Sequence, residues 1–299
     1  MSSPPQRLPE NHGLAFCGDD KRGRFELSAM AARRLLAAHN RHGKPNSDVV
    51  RRWAGAADLR RAPQHRWIVD FPPELDEREA ELYERPYALI RRQVRPAWSA
   101  RRHAWWIHGG SQPEMRVALA KRDRYIATPA AGRPRVFVWL EPDVLPDRSL
   151  AVFARDDDYF LGVIHSRYHD VWTRWAAAWA RGPKTPFRYA PATCFETFPC
   201  PWPPATPLGK LTRVQEEQRT EIAQAARALG AQRSEWLGDR TDSKRTLTAL
   251  YRVRPAWLQQ THLVLDEAVA AAYGWPADLS DDDVIQRLQT LNQQRAAGS

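Results

Sequence analysis

Three groups of residues in this 299-residue chain have the types and spacing of chemical sites, and each also has a structural reading. Asp156, Asp157 and Asp158 stand in a row, a metal-site pattern, but ahead of an apolar helical run they read first as N-terminal caps. Asp70, Glu74 and Asp76 invite comparison with a metal-dependent nuclease. No Lys follows at the Glu-x-Lys spacing such sites use, and Pro142-Asp143 lacks that partner too. His165 and His169 have the i, i+4 spacing of a helical metal pair without the Glu of an HExxH site, so polar packing is the better reading. Cys17, Cys194 and Cys200 are odd in number and form no C-x-x-C pair, which suits buried free thiols. No G-x-G loop occurs, so no nucleotide cofactor is indicated.

The basic residues are more informative. Lys121, Arg122 and Arg124 lead into one strand-like run, and Arg133 and Arg135 lead into the next. Arg167 and Arg174 lie seven apart on one helical face, with Ser166 beside the first. Guanidinium groups on rigid elements suit phosphate contacts and bidentate guanine readout, although each alone reads as a solvated surface charge. The net charge is +10, and the whole surplus lies in residues 1–205, because 206–299 carry as many acids as bases. That distribution suits a front part that meets a polyanion. The start lacks a signal-peptide core and no apolar run reaches bilayer length, so a cytoplasmic protein without a membrane partner is expected.

Those side chains need a scaffold. Residues 1–13 read as loose, and 14–27 as a hairpin about a Gly-containing turn. Ser28 caps a short helix, 67–71 is a buried strand ending at Pro72-Pro73, and Pro86 kinks or splits the helix that follows. Runs 101–108 and 115–120 lead into strands at 124–129, 135–140 and 149–154, and then one long helix over 159–179. Past a Pro-rich linker at 201–209, three helices follow, the second at 256–273 behind Pro255 and the third capped by Ser280. The expected class is α+β: a lead-in over 1–45, a mixed α/β domain over 46–205, and a small α-helical C-terminal region over 206–299.

The stretches PNSDVVRRWAGAADLRR, RWIVDF, AELYERPYALIRRQVRP, RYIATP, RVFVWLEPDVLPD, ARDDDYFLGVIHSRYHDVW and TCFETFPCPWPP carry a resemblance. Together they are similar to the target-recognition region of large class I adenine-specific DNA methyltransferases of the MmeI-type restriction-modification group. LDEAVAAAYGWPADLS and LNQQR resemble that family's C-terminal segment, so the likeness runs over about residues 14–297 in the family's order.

The resemblance implies a chain that recognises double-stranded DNA, with a catalytic methyltransferase domain or subunit as partner. In the family that domain binds S-adenosylmethionine and places a flipped adenine against an Asn-Pro-Pro-Tyr/Phe motif. This chain has neither that tetrapeptide nor a glycine-rich methyl-donor loop; Phe71-Pro72-Pro73-Glu74 and Trp202-Pro203-Pro204-Ala205 do not fit. It therefore reads as a recognition portion, from a split system or a truncated gene, that holds no cofactor itself and does not methylate alone. The competing readings are a nonfunctional fragment, a protein-interaction scaffold or a stand-alone nuclease. By the same resemblance Thr128, Arg133 and Arg135 contact bases or backbone. His165, Ser166 and Arg167 match the family's motif, whereas Ala130-Ala131-Gly132-Arg133-Pro134 replaces its usual Ser-Lys-His/Arg run.

Overall fold

A computed structural model describes residues 4–61, 65–97, 104–182, 184–238 and 244–298. The front part holds β1 (Ala15–Cys17), β2 (Glu26–Leu27), α1 (Ala29–Leu36), β3 (Val50–Ala54), α2 (Ala56–Arg60), β4 (Arg66–Val69), α3 (Glu77–Glu81), α4 (Glu84–Gln93) and α5 (Pro113–Leu119). The centre holds β5 (Tyr125–Pro129), β6 (Val138–Leu140), β7 (Val144–Pro146), β8 (Leu150–Phe153), α6 (Asp158–His165) and α7 (Arg167–Arg181). Four helices close the chain: α8 (Arg213–Leu237), α9 (Leu247–Val253), α10 (Ala256–Tyr273) and α11 (Asp281–Ala297). The class is α+β, as expected.

Two four-stranded sheets organise the front and centre. One is antiparallel in the order β1-β8-β5-β6; the other runs β2-β4-β3-β7, with β3 and β7 parallel. Side chains alternate across a strand, and β5 and β8 use both faces. Ile126, Ala151 and Phe153 enter a core shared with the later helices, while Tyr125, Ala127, Leu150 and Val152 enter a second core beneath the other sheet. A strand buried on both sides reads as the continuous apolar run seen at 125–129.

Helix α6 is the axle of the first core. Asp157 caps it, accepting from the Phe160 amide at 2.9 Å, and its residues from Tyr159 to His165 are all buried. Burial of Phe160, Leu161, Val163 and Ile164 stabilises the fold by about 1.5–3 kcal/mol per side chain. Gly162 lets α8 approach: a Cβ there would stand 2.6 Å from the Ile222 side chain and 3.1 Å from its carbonyl oxygen. The core runs across residue 205, since Ile222, Leu229, Leu265 and Leu288 pack with Phe153, Phe160 and Trp172.

Several expectations change here. The 14–27 stretch is no hairpin, because β1 pairs with β8 and β2 pairs with β4 in different sheets. Residues 4–13 are not loose: Leu8 is buried, Asn11 donates to the Phe195 and Phe198 carbonyls, and Asn292 of α11 both donates to and accepts from the Gln6 backbone. The expected long helix is two helices broken at Ser166. The strand expected at 135–140 is confined to β6, and β3, β7 and α9 are additions. The helix expected to kink or split at Pro86 is parted earlier, between α3 and α4, and Pro86 falls in the first turn of α4. Of the run 101–108, residues 101–103 lie outside those described.

Candidate nucleic-acid interface

The ten candidate residues fall into two groups at opposite ends of β5, a strand whose five residues span ~17 Å. At its start, Arg122 pairs with Asp156 at 3.7 Å and Arg124 with Asp158 at 2.9 Å, while Lys121 is exposed. Arg124 also stacks 3.8 Å above Trp139. The two aspartates that flank the α6 cap Asp157 thus hold these arginines.

Beyond the other end of β5 the chain turns through residues 130–137, with a cis Arg133–Pro134 peptide. Arg60 of α2 braces this turn by donating to the Ala131 carbonyl, and its guanidinium lies 2.8 Å from where a Gly132 Cβ would stand. Gly132 has φ of +80°, a conformation that favours glycine. Arg133 is exposed on the turn. Arg135 is turned inward instead, 4.0 Å over Phe187, bonded to the Thr173 hydroxyl and paired with Asp170 at 2.9 Å. Burial lowers its proton affinity and Asp170 partly restores it.

The α6–α7 break places three more candidates here. Ser166 is buried and its hydroxyl donates to the Val163 carbonyl at 2.7 Å, satisfying a group released where the helix stops. The Arg167 amide, first in α7, donates to Asp266 at 2.7 Å. The Arg167 guanidinium is held by the Leu279 carbonyl at 3.0 Å and by Asp281 at 2.9 Å. Asp281 also takes Arg174 at 3.1 Å, so both arginines lock α7 to the start of α11. His165 is buried, edge-on to Phe137. Because the helix breaks between them, His165 and His169 do not form an i, i+4 metal pair; His169 instead bonds the Ile164 carbonyl and the Tyr189 hydroxyl.

Thr128 is fully buried in β5, so in this arrangement it touches no external ligand. Arg135 and Ser166 likewise serve the fold, for the reasons of packing just given.

Two neighbouring clefts share Arg133. One, of about 550 Å³, lies between the 130–137 turn, the α6–α7 break and the α9–α10 turn, and adds Arg252, Arg254, Tyr251 and His262 to the expected Arg133, Arg135, His165, Ser166 and Arg167. The other, of about 140 Å³, adds Arg181 and Arg188. Among the described residues no carboxylate pairs with Arg133, Arg181, Arg188, Arg252 or Arg254. These five unneutralised guanidiniums form the basic rim of this end of the molecule. The four besides Arg133 went unread in the sequence; the alternation Arg252-Val253-Arg254 before Pro255 is its only local signal.

Two of the suspected nuclease carboxylates, Asp76 and Asp70, are otherwise employed. Asp76 caps α3 together with Glu79. Asp70 is buried with Asp19 and His108, a trio close enough to hold a metal ion. The Arg116 guanidinium occupies that position, bonded to both oxygens of Asp70 and to Asp19, with Arg51 3.5 Å from Asp70. Burial pushes the Asp70 carboxyl up, but Arg116, His108 and Arg51 more than offset it and hold it below the usual carboxylate range. This is an internal ion cluster with its cation already supplied. Burial pushes the Cys194 and Cys200 thiols up to about 11 and about 12, which suits packing rather than reactivity. No described helix is long and apolar enough to cross a membrane.

Neither a protein-family model nor a curated protein matches the sequence. Among solved structures the fold does recur, as a stretch of a restriction-modification enzyme. That enzyme is the type IIL protein MmeI, solved in complex with DNA: 99% of this chain superimposes on it with a TM-score of 0.68 at 18% identity. The chain corresponds to 37% of the MmeI chain.

Proposed function

We propose that this chain is the DNA sequence-recognition portion of an adenine-specific DNA methyltransferase or restriction-modification system. It binds duplex DNA through the basic rim around the 130–137 turn. A separate catalytic domain or subunit supplies S-adenosylmethionine-dependent methyl transfer. The observation that carries this reading is the superposition of nearly the whole chain on part of a restriction-modification enzyme solved with DNA. The five guanidiniums without carboxylate partners support it, because a polyanion is their natural complement and each phosphate neutralised releases counterions.

In this reading Arg133, Arg181, Arg188, Arg252 and Arg254 meet the duplex, with Arg133 on the turn best placed for a base edge. Arg135, Arg167 and Arg174 hold the platform, and Lys121, Arg122 and Arg124 lie at the far end of β5. The test is the salt dependence of duplex affinity for the wild-type chain and for an Arg181→Gln/Arg188→Gln variant. The expected slope of log K against log salt falls by about 0.9 for each phosphate no longer neutralised, about 1.8 in the variant. Salt-insensitive binding, or an unchanged slope in the variant, overturns the assignment of these residues.

A further inference from the structure

A third cleft, of about 310 Å³, opens between β6 and α8, and none of the five rim arginines lines it. Its apolar walls are Trp139 of β6, Leu161 of α6, and Leu229 and Leu237 of α8. Its charged residues are Arg124, Arg227, Arg233 and Asp158, three cations to one carboxylate. Arg124 and Arg227 share that carboxylate, at 2.9 and 3.1 Å from Asp158.

Arg233 is left over. It is only 7% exposed, yet among the described residues no carboxylate pairs with it. Its two terminal nitrogens donate to one neutral acceptor, the Phe137 carbonyl, 3.3 Å from each, and its Nε–H has no acceptor. Arg135 and Arg116, whose side chains are also largely buried, are paired instead with Asp170 and with Asp19 and Asp70. Taking a charge out of water without an opposite charge is costly, so the unpaired guanidinium in this wall calls for an anion from outside the chain.

We infer that the β6–α8 cleft is a binding site for an organic carboxylate with an apolar body, the carboxylate meeting Arg233 and the body lying between Trp139 and the α8 leucines. The site stands apart from the DNA rim and does not depend on it.

The lining selects the anion. A guanidinium has five N–H donors in a planar fork, and two are spent on Phe137; the rest suit the two oxygens of a carboxylate. A duplex backbone is too broad to enter a cleft of this size, and leucine walls offer nothing to the strongly hydrated oxygens of a phosphate. A small cavity, mainly apolar with a few fixed polar groups, is the usual form of a small-ligand site.

Gly230 marks the opening. It lies inside α8 and lines the cleft, and a Cβ built on it would meet nothing within 4 Å. A glycine inside a helix weakens it, and here no close packing requires one, unlike Gly162 against Ile222. Its lack of a side chain keeps the space beside Arg233 empty.

The test uses the full chain with hydrocinnamate, its neutral amide, the blocked dipeptide acetyl-Leu-Asp-amide and inorganic phosphate as probes. Affinities are measured by calorimetry while arginine Nε–H resonances are followed by NMR, with Arg233 assigned from its absence in Arg233→Gln. At least one carboxylate probe is expected to bind about tenfold or more tighter than the amide and to move the Arg233 resonance, while phosphate does neither. Arg233→Gln, which keeps a donor for Phe137, loses that preference. Gly230→Leu fills the space and loses binding of acid and amide alike, with folding and duplex affinity as in the wild-type chain. Tighter binding of the dipeptide assigns the carboxylate to an acidic side chain of a partner protein, and tighter binding of hydrocinnamate to a small acid; both keep the site. Equal affinity for acid and amide, full binding in Gly230→Leu, phosphate bound as tightly as the acids, or lost duplex affinity in Gly230→Leu overturns it.

Discussion

The Arg60 guanidinium holds the carbonyl of Ala131, two residues before Arg133, and so ties the turn at the end of β5 to helix α2. The Arg60 carbonyl in turn accepts from Thr248 of α9 at 3.3 Å, so one residue connects the turn to the α9 side of the larger cleft. A positioning role of this kind separates specificity from attachment. In Arg60→Ala, discrimination between preferred and random duplexes is expected to fall by about 1–3 kcal/mol with the salt slope unchanged. Parallel binding curves on the two duplexes would show it; undiminished preference would remove Arg60 from this role.

Arg133 and Arg135 are expected to part company. Arg133→Ala leaves stability within about 0.5 kcal/mol of wild type, as surface substitutions do, and weakens sequence-specific binding by about 1–3 kcal/mol. Arg135→Ala strips a charged partner from Asp170 and Thr173 and opens the face of Phe187. Its cost falls on the fold, about 1–3 kcal/mol in denaturant unfolding. Equal stability of the two variants would contradict the inward placement of Arg135.

Much of the framework was legible because its signals are local. Ser28, Asp157 and Ser280 accept from backbone amides three residues on, where cap residues belong. Helix α10 starts behind Pro255 and ends at Gly274, as that pair of punctuating residues dictates. The hairpin reading of 14–27 failed because strand partners need not be near in sequence: Phe16 faces Val152, not Glu26. The break at Ser166 was illegible because the apolar spacing runs on through it. The acceptor that stabilises the new helix start is Asp266, on α10. The same limit hid Arg252 and Arg254 from the candidate site, since only the packing of α9 and α10 against α6 turns them toward Arg133.

The ion cluster around Asp70 carries a pH signature. Its carboxyl is depressed in the folded chain, so its contribution is complete above the unfolded value of about 3.9 and is lost as pH falls through the folded value. Acid unfolding is expected to steepen below about pH 4 in wild type, and Asp70→Asn is expected to remove that part of the transition. At neutral pH the same variant should lose about 3 kcal/mol, because Arg116 keeps only Asp19 as a carboxylate partner and Arg51 loses its own. An acid limb identical to wild type would contradict the cluster's role.

Gly162→Ala tests the α6–α8 packing. Alanine favours a helix by about 0.5–1 kcal/mol over glycine, yet here its methyl meets Ile222. The expected net effect is a loss of about 1–2 kcal/mol in unfolding free energy, and a stabilised variant would show that α8 sits further from α6 than described.

The central claim is that this chain reads DNA sequence. Its most direct test is selection of a randomised duplex library by the purified chain at low and near-physiological salt. The account predicts enrichment of one defined motif that survives the higher salt, with bulk affinity falling as counterion release requires. Binding that loses affinity with salt while enriching no motif would contradict sequence recognition, and absence of binding at both salts would contradict the DNA interface itself.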